Sequence, residues 1–126
     1  MQLNHVGIIS NSRELAERFY HDFLGLTMTK EGVLPPALSE QIFSVSHAVT
    51  MLVYEKDGIK LEIFICPECK QPSPDFRHIG LYVNDLASLL EKAREFGVEH
   101  ITGHKGSRTV HFLKDFSGNL IEIKEM

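Results

Sequence analysis

Four residues combine type and spacing in a way that points to metal chemistry: His5, Glu62, His78 and Glu122. His5 and His78 each sit in a short apolar run, and each is followed two residues later by a glycine, Gly7 or Gly80. Glu62 lies four residues past Gly58, and Glu122 lies four past Gly118. Any one of these side chains could occupy the solvated face of an amphipathic sheet. That reading does not explain why a histidine and a glutamate recur at matched places in the two halves. Ligation explains it directly, with each half giving one imidazole and one carboxylate to a divalent ion.

The elements that must position these residues repeat as well. Leu3 to Ile9 reads as a strand, Asn11 and Ser12 as candidate helix caps, and Leu15, Ala16, Phe19 and Phe23 recur at helical spacing before Gly25. In the second half Phe76 to Val83 reads as a strand, and Asp85 can cap the next helix. Leu86, Leu89, Leu90, Ala93 and Phe96 give that helix an apolar stripe, closed by Gly97. Val49 to Lys56 and Ile59 to Ile65 form a hairpin about Asp57-Gly58, a strong two-residue turn signal. Val110 to Asp115 and Leu120 to Lys124 form its counterpart about residues 116–119. One more strand is needed in each half, near Leu26–Val33 and Val98–Thr102. The expected fold is α+β: a single domain over residues 1–126, made of tandem βαβββ modules (about 1–70 and 71–126) that form a curled mixed sheet.

Alternation along a strand puts Leu3, His5, Gly7 and Ile9 on one face, and Phe76, His78, Gly80 and Tyr82 on one face of the second. Each histidine therefore has a gap beside it where a glycine lacks a side chain. Glu62 and Glu122 interrupt otherwise apolar strands, where an unpaired buried carboxylate would cost several kcal/mol. His5 and Glu62 are 57 positions apart, against 44 for His78 and Glu122. The excess falls mostly between Lys30 and Ala48, a stretch with Pro35-Pro36 and several serines that reads as a loop, either a lid beside the site or a surface excursion.

The other histidines are weaker ligand candidates. His21 falls near a helix C-terminus, where a protonated imidazole favours the dipole. His47 ends the long loop. Gly103 between His100 and His104 disfavours a rigid helical pair, and His111 has no repeat partner, though it could touch substrate. Cys66-Pro67-Glu68-Cys69 lacks the second pair that a structural zinc site needs. It follows a strand and precedes the Pro72–Pro74 stretch, so two unpaired thiols in a loop are expected.

Composition narrows the function classes. With 43% hydrophobic and 24% charged residues the chain is ordinary globular material. It is long enough to fold without a structural metal or disulfide, so a bound ion would serve chemistry. A formal net charge of −4 and no basic stripe argue against nucleic acid. No secretory signal is seen at the first residues, and apolar runs such as Ile63–Cys66 are too short to span a bilayer, so cytoplasmic residence and no membrane partner are the defaults.

Leu-Asn-His-Val-Gly-Ile at 3–8, Phe-Tyr-His-Asp-Phe-Leu-Gly-Leu at 19–26 and Gly-Ile-Lys-Leu-Glu-Ile-Phe at 58–64 resemble the vicinal oxygen chelate superfamily. So do Phe-Arg-His-Ile-Gly-Leu-Tyr-Val at 76–83 and residues 112–123. That superfamily includes glyoxalase I (lactoylglutathione lyase), methylmalonyl-CoA epimerase, extradiol dioxygenases, fosfomycin-resistance enzymes and bleomycin-binding proteins. The resemblance implies a glyoxalase-like fold, common assembly as homodimers, and a metal site built within one chain or across the dimer. His5, Glu62, His78 and Glu122 match the ligand set of bacterial-type glyoxalase I. By that analogy Glu122 is the base that moves a proton on a carbon next to a metal-bound carbonyl through an enediolate, and Glu62 is the second carboxylate.

Two nitrogen and two oxygen ligands leave two positions for substrate oxygens or waters, and suit one Ni, Co, Zn, Mn or Fe ion. The partner is then a small-molecule substrate, with Lys105 and Arg108 as candidate contacts to an anionic group. Departures from the glutathione-specific pattern, Ile9 where Arg is usual and Cys66 where Asn is usual, put glutathione dependence in doubt. The alternatives are a methylmalonyl-CoA-epimerase-like enzyme, which would usually carry Gln at Glu62, and an Fe(II) extradiol dioxygenase using His5, His78 and Glu122. Thiol transfer to an epoxide and a metal-free module that sequesters an antibiotic or other ligand complete the field.

Overall fold

The structure, a computed structural model, describes residues 1–70 and 74–126; Pro72 of the proline-rich stretch lies outside them. The chain divides into two compact units, Met1–Cys69 and Lys70–Met126. The first runs β1 (Val6–Ser10), α1 (Arg13–Ala16) continuing directly into a π-helical stretch (Glu17–Phe23), β2 (Thr27–Leu34), α2 (Pro36–Phe43), β3 (Val49–Lys56) and β4 (Ile59–Ile65). The second runs β5 (His78–Val83), α3 (Leu86–Phe96), β6 (Glu99–Lys105), β7 (Arg108–Lys114) and β8 (Leu120–Glu125). Strand order is β1-β4-β3-β2 in one sheet and β5-β8-β7-β6 in the other. Each sheet is mixed, with its first and last strands parallel and the rest antiparallel.

Local chemistry accounts for the connections. Asp57 and Gly58 both have positive φ, 51° and 82°, the conformation a tight two-residue hairpin requires and glycine accepts most readily. Ser12 caps α1 by accepting from Leu15 N (3.1 Å), and Asp85 caps α3 by accepting from Ser88 N (2.9 Å). The β7–β8 turn is organised by buried Asp115, whose carboxylate accepts from the backbone N–H of Ser117 and Asn119 and from the Asn119 side-chain amide.

The core of the first unit joins Phe19, Tyr20 and Phe23 to Leu52, Tyr54 and Ile63, all almost fully buried. Phe19 and Tyr20 meet edge to face at 4.9 Å, a favoured aromatic geometry. Tyr54 donates its hydroxyl to Glu17 at 2.5 Å, and burial, then the Glu17 carboxylate, raises its phenol above the usual range. In the second unit Leu113, Ile121, Ile123 and Ala93 are buried, and the expected stripe of α3 is its more covered side.

Several expectations need correction. The first strand begins at Val6 rather than Leu3, because parallel pairing with β4 starts at Val6 opposite Leu61. The strand expected from Phe76 begins at His78, and Phe76 is exposed. The stretch from Lys30 to Ala48 is not simply a loop. It completes β2 and then forms α2, entered through Pro36 in the first turn, where proline's missing N–H costs nothing.

The cysteines are not free thiols either. Cys69 N donates to Cys66 O (3.3 Å), a turn that brings the two Cα atoms to 5.3 Å, within disulfide reach, and the sulfurs are bonded. Among the described residues no helix is long and apolar enough to cross a membrane.

Candidate metal centre

Both units bring a histidine to a glutamate by the same device. In the parallel ladder of β1 and β4, Gly7 stands opposite Glu62; in that of β5 and β8, Gly80 stands opposite Glu122. Partnered residues project to the same side of a sheet, so each carboxylate shares a face with a glycine and with whatever stands two residues before it. His78 is the first residue of β5, and His5 immediately precedes β1. His5 Nε2 lies 3.2 Å from Glu62 Oε2, and His78 Nε2 lies 3.6 Å from Glu122 Oε2. The carboxylates are recessed, at 20% and 17% side-chain exposure, while both imidazoles reach the rim at 40%.

The other ring nitrogens decide what these imidazoles can do. His5 Nδ1 lies 2.8 Å from Asn4 Oδ1, and His78 Nδ1 lies 3.0 Å from the Phe76 carbonyl. Both partners are acceptors, so each Nδ1 carries the proton and donates it. With Nδ1 engaged, Nε2 is the ring nitrogen beside the carboxylate, and its lone pair is open to a metal when the ring is neutral. That tautomer, fixed by an oxygen behind the ring, is the one a metal-ligating histidine adopts. Nitrogen–oxygen separations of 3.2 and 3.6 Å also fall within the range between neighbouring ligands at metal bonds of about 2.0–2.2 Å. The donor set thus fits a divalent cation.

The two pairs have different surroundings. Glu62 faces Val53 across β3, with Phe64 two residues along its own strand, and the Phe43 ring of α2 lies 5.3 Å from that of Phe64. Glu122 faces Phe112 across β7, and the Phe112 ring meets His78 edge-on at 5.3 Å. Lys124, two residues beyond Glu122, places Nζ 3.4 Å from Glu122 Oε1. Sequence reading missed Lys124, although its i+2 relation to Glu122 was a usable signal. A cavity of about 530 Å³ at the β3–β4 turn is lined in part by Leu3, Asn4, Asp57 and Lys60, beside the His5 approach.

Among the described residues no group of three or more His, Cys, Asp or Glu side chains forms, so each unit by itself offers two donors. The remaining histidines lie elsewhere. His21 Nδ1 donates to the Leu26 carbonyl (2.8 Å). His47 contacts Glu68 (3.1 Å), and its pKa is raised first by the Ala48 carbonyl and also by Glu68. His100 and His111 meet through ring nitrogens 3.0 Å apart, with partial burial and then His111 lowering the pKa of His100. Their strand positions put both on the sheet face opposite Glu122, away from the role of substrate contact considered for His111. Lys105 and Arg108 pair across the end of the β6–β7 hairpin, in the alternation class of Phe112 and therefore on the Glu122 face.

The model of the Glyoxalase/Bleomycin resistance protein/Dioxygenase superfamily matches residues 2–123. Among solved structures, a glyoxalase family protein from Enterococcus faecalis is 21% identical, with 97% of this chain and 95% of that one covered at a TM-score of 0.76. A glyoxalase family protein from Bacillus anthracis is 19% identical, covering 99% and 94% at 0.68. A variant of the fosfomycin resistance protein FosX from Listeria monocytogenes, solved with Mn(II) and a dihydroxypropylphosphonic acid, is 13% identical, covering 97% and 87% at 0.72. No curated protein matches at a significant level. At these identities the likenesses establish the fold.

Proposed function

The chain belongs to the Glyoxalase/Bleomycin resistance protein/Dioxygenase superfamily, and from that premise we propose that it is a metal-dependent lyase or isomerase of the glyoxalase I type. In this reading His5, Glu62, His78 and Glu122 are the ligands of one divalent ion, and the reaction moves a proton at the carbon next to a carbonyl. The observation that carries it is the duplicated pair: Gly7 opposite Glu62 and Gly80 opposite Glu122, each glutamate within 3.6 Å of a histidine Nε2.

When bound, a divalent ion supplies electrophilic polarisation that lowers the barrier to removing the neighbouring proton. The protein's own residues do the rest. Asn4 and the Phe76 carbonyl orient the imidazoles, Gly80 keeps space open beside Glu122, and Gly7 makes room for the Phe64 ring. Glu122 acts as the base, and Glu62 is the second carboxylate able to hold a proton. Lys124, with Lys105 and Arg108 on its face, offers positive charge to an anionic substrate group.

The Mn(II)- and phosphonate-bound FosX neighbour supports a divalent ion and an anionic small molecule in a protein of this fold, and makes fosfomycin-resistance chemistry, thiol transfer to an epoxide, the second reading. Ile9 in place of Arg argues against glutathione as an obligatory partner. So does Cys66, which is buried and disulfide-bonded. The test is deuterium incorporation from D₂O into a panel of α-hydroxycarbonyl compounds and hemithioacetals, read by NMR, with Ni, Co, Zn or Mn supplied in turn. Metal-dependent labelling at the carbon next to the carbonyl is expected. Epoxide consumption with no labelling anywhere in the panel would transfer the assignment to the second reading.

A further inference from the structure

The Cys66-Pro67-Glu68-Cys69 turn plays no part in the metal reading, yet it is tied to the rest of its unit. Cys66 N donates to Ser10 O (2.8 Å), and the Asn11 amide donates to the carbonyls of Cys66 (3.1 Å) and Cys69 (2.8 Å). From the same turn Glu68 reaches His47 Nε2 at 3.1 Å. His47 lies three residues past Ser44, the C-cap of α2, whose last residue, Phe43, rests against Phe64 on the Glu62 face. Contacts therefore run from the disulfide turn through Glu68 to His47, and three residues of chain join His47 to the C-cap of the helix beside Glu62.

That helix is weakly held. Leu38, Ile42 and Phe43 remain largely exposed, and its buried residue, Ser39, has no partner for its hydroxyl. A segment with so few buried contacts opens locally at low cost.

We propose that Cys66–Cys69 is a reversible redox site, and that its reduction by a dithiol loosens α2 from the Glu62 face. Cys69 is part-exposed and Cys66 buried, so the incoming thiolate attacks Cys69 Sγ. A mixed disulfide forms and Cys66 leaves as thiolate. The second thiol of the reductant then closes its own disulfide and releases Cys69. Two electrons pass to the protein, both cysteine sulfurs end as thiols or thiolates, and the dithiol leaves oxidised. Once the cross-link is open, the turn no longer fixes Glu68 against His47. The inference does not depend on the metal assignment, and its test needs no catalytic readout.

Hydrogen–deuterium exchange of the full chain, air-equilibrated and after dithiothreitol, tests it, with thiols counted by alkylation and intact mass. No alkylation before reduction and two alkylated cysteines after it are expected. Amide exchange in residues 36–48 should become about two- to fivefold faster on reduction, the range set by loss of one exposed ion pair, while α3 stays unchanged. Glu68→Gln should show the faster exchange already in the oxidised protein. Two alkylatable thiols in the air-equilibrated protein, or equal exchange of residues 36–48 in both redox states, would overturn the proposal.

Discussion

Gly80 stands directly opposite Glu122 in the β5–β8 ladder, and a Cβ built on Gly80 would lie 4.0 Å from Glu122 Oε2. The glycine is there for space rather than for backbone freedom, since it is not among the positions with positive φ. Gly80→Val should therefore fold normally and crowd the carboxylate. Metal affinity and turnover are expected to fall about tenfold or more, as outer contacts to ligands typically command 10- to 100-fold effects. A chelator-competition titration beside a urea melt checks this; unchanged affinity would mean that the gap is incidental.

Glu122→Gln separates ligation from proton transfer. The amide keeps an oxygen donor but cannot take a proton, so kcat should drop about 10²–10⁴-fold while much of the metal affinity survives. Steady-state kinetics on the labelling substrate, with metal content measured on the same sample, gives both numbers. Full retained activity would remove Glu122 as the base.

Asn4→Ala removes the oxygen that holds the His5 Nδ1 proton. Because Asn4 is exposed, stability should change by only about 0.5 kcal/mol or less. Metal affinity should weaken about 10-fold or more through loss of ring orientation. Isothermal titration of the metal-free protein would show whether the weakening is real, and an unchanged constant would leave His5 without a supporting contact that matters.

His100 has a folded pKa below its ordinary value, from partial burial first and His111 second. Between the lowered value and about 6.5, the unfolded chain binds more proton than the folded one. The contribution of this group is thus complete above about pH 6.5 and is lost as pH falls through the folded pKa. His100→Gln should flatten the stability profile on the acid side, measured by urea unfolding across that range. An identical acid slope in the variant would assign the slope to other groups.

Much of the fold was legible because its signals are local and repeated. Asp57-Gly58 allows little but a tight hairpin, and both ends of that hairpin fall where the sequence places them. The α3 stripe, with Asp85 and Gly97 at its ends, was equally clear. The histidine–glutamate pairs could be anticipated because register and alternation carry them, although His5 acts from just outside its strand.

What stayed hidden depends on contacts remote in sequence or on competition between local preferences. Nothing in Glu17–Phe23 marks a π-helical continuation, and Tyr20, absent from the expected stripe, is fully buried within it. Pro35-Pro36 and the serines disguised α2, since proline ends most helices but can begin one. The disulfide was missed because a CxxC after a strand is compatible with free thiols until the turn is known. Asn11, offered beside Ser12 as a candidate helix cap, holds that turn by its two carbonyls, while Ser12 is the cap.

Metal content per chain, measured by mass spectrometry on gently purified protein beside a His5→Ala, His78→Ala variant, bears most directly on the site. About one divalent ion per chain, lost in the variant, is the expected result, with Ni, Co, Zn or Mn favouring proton transfer and Fe favouring oxygen chemistry. Failure of the native chain to carry or take up any divalent ion, or full retention of the ion by the variant, would contradict the assignment of His5, Glu62, His78 and Glu122.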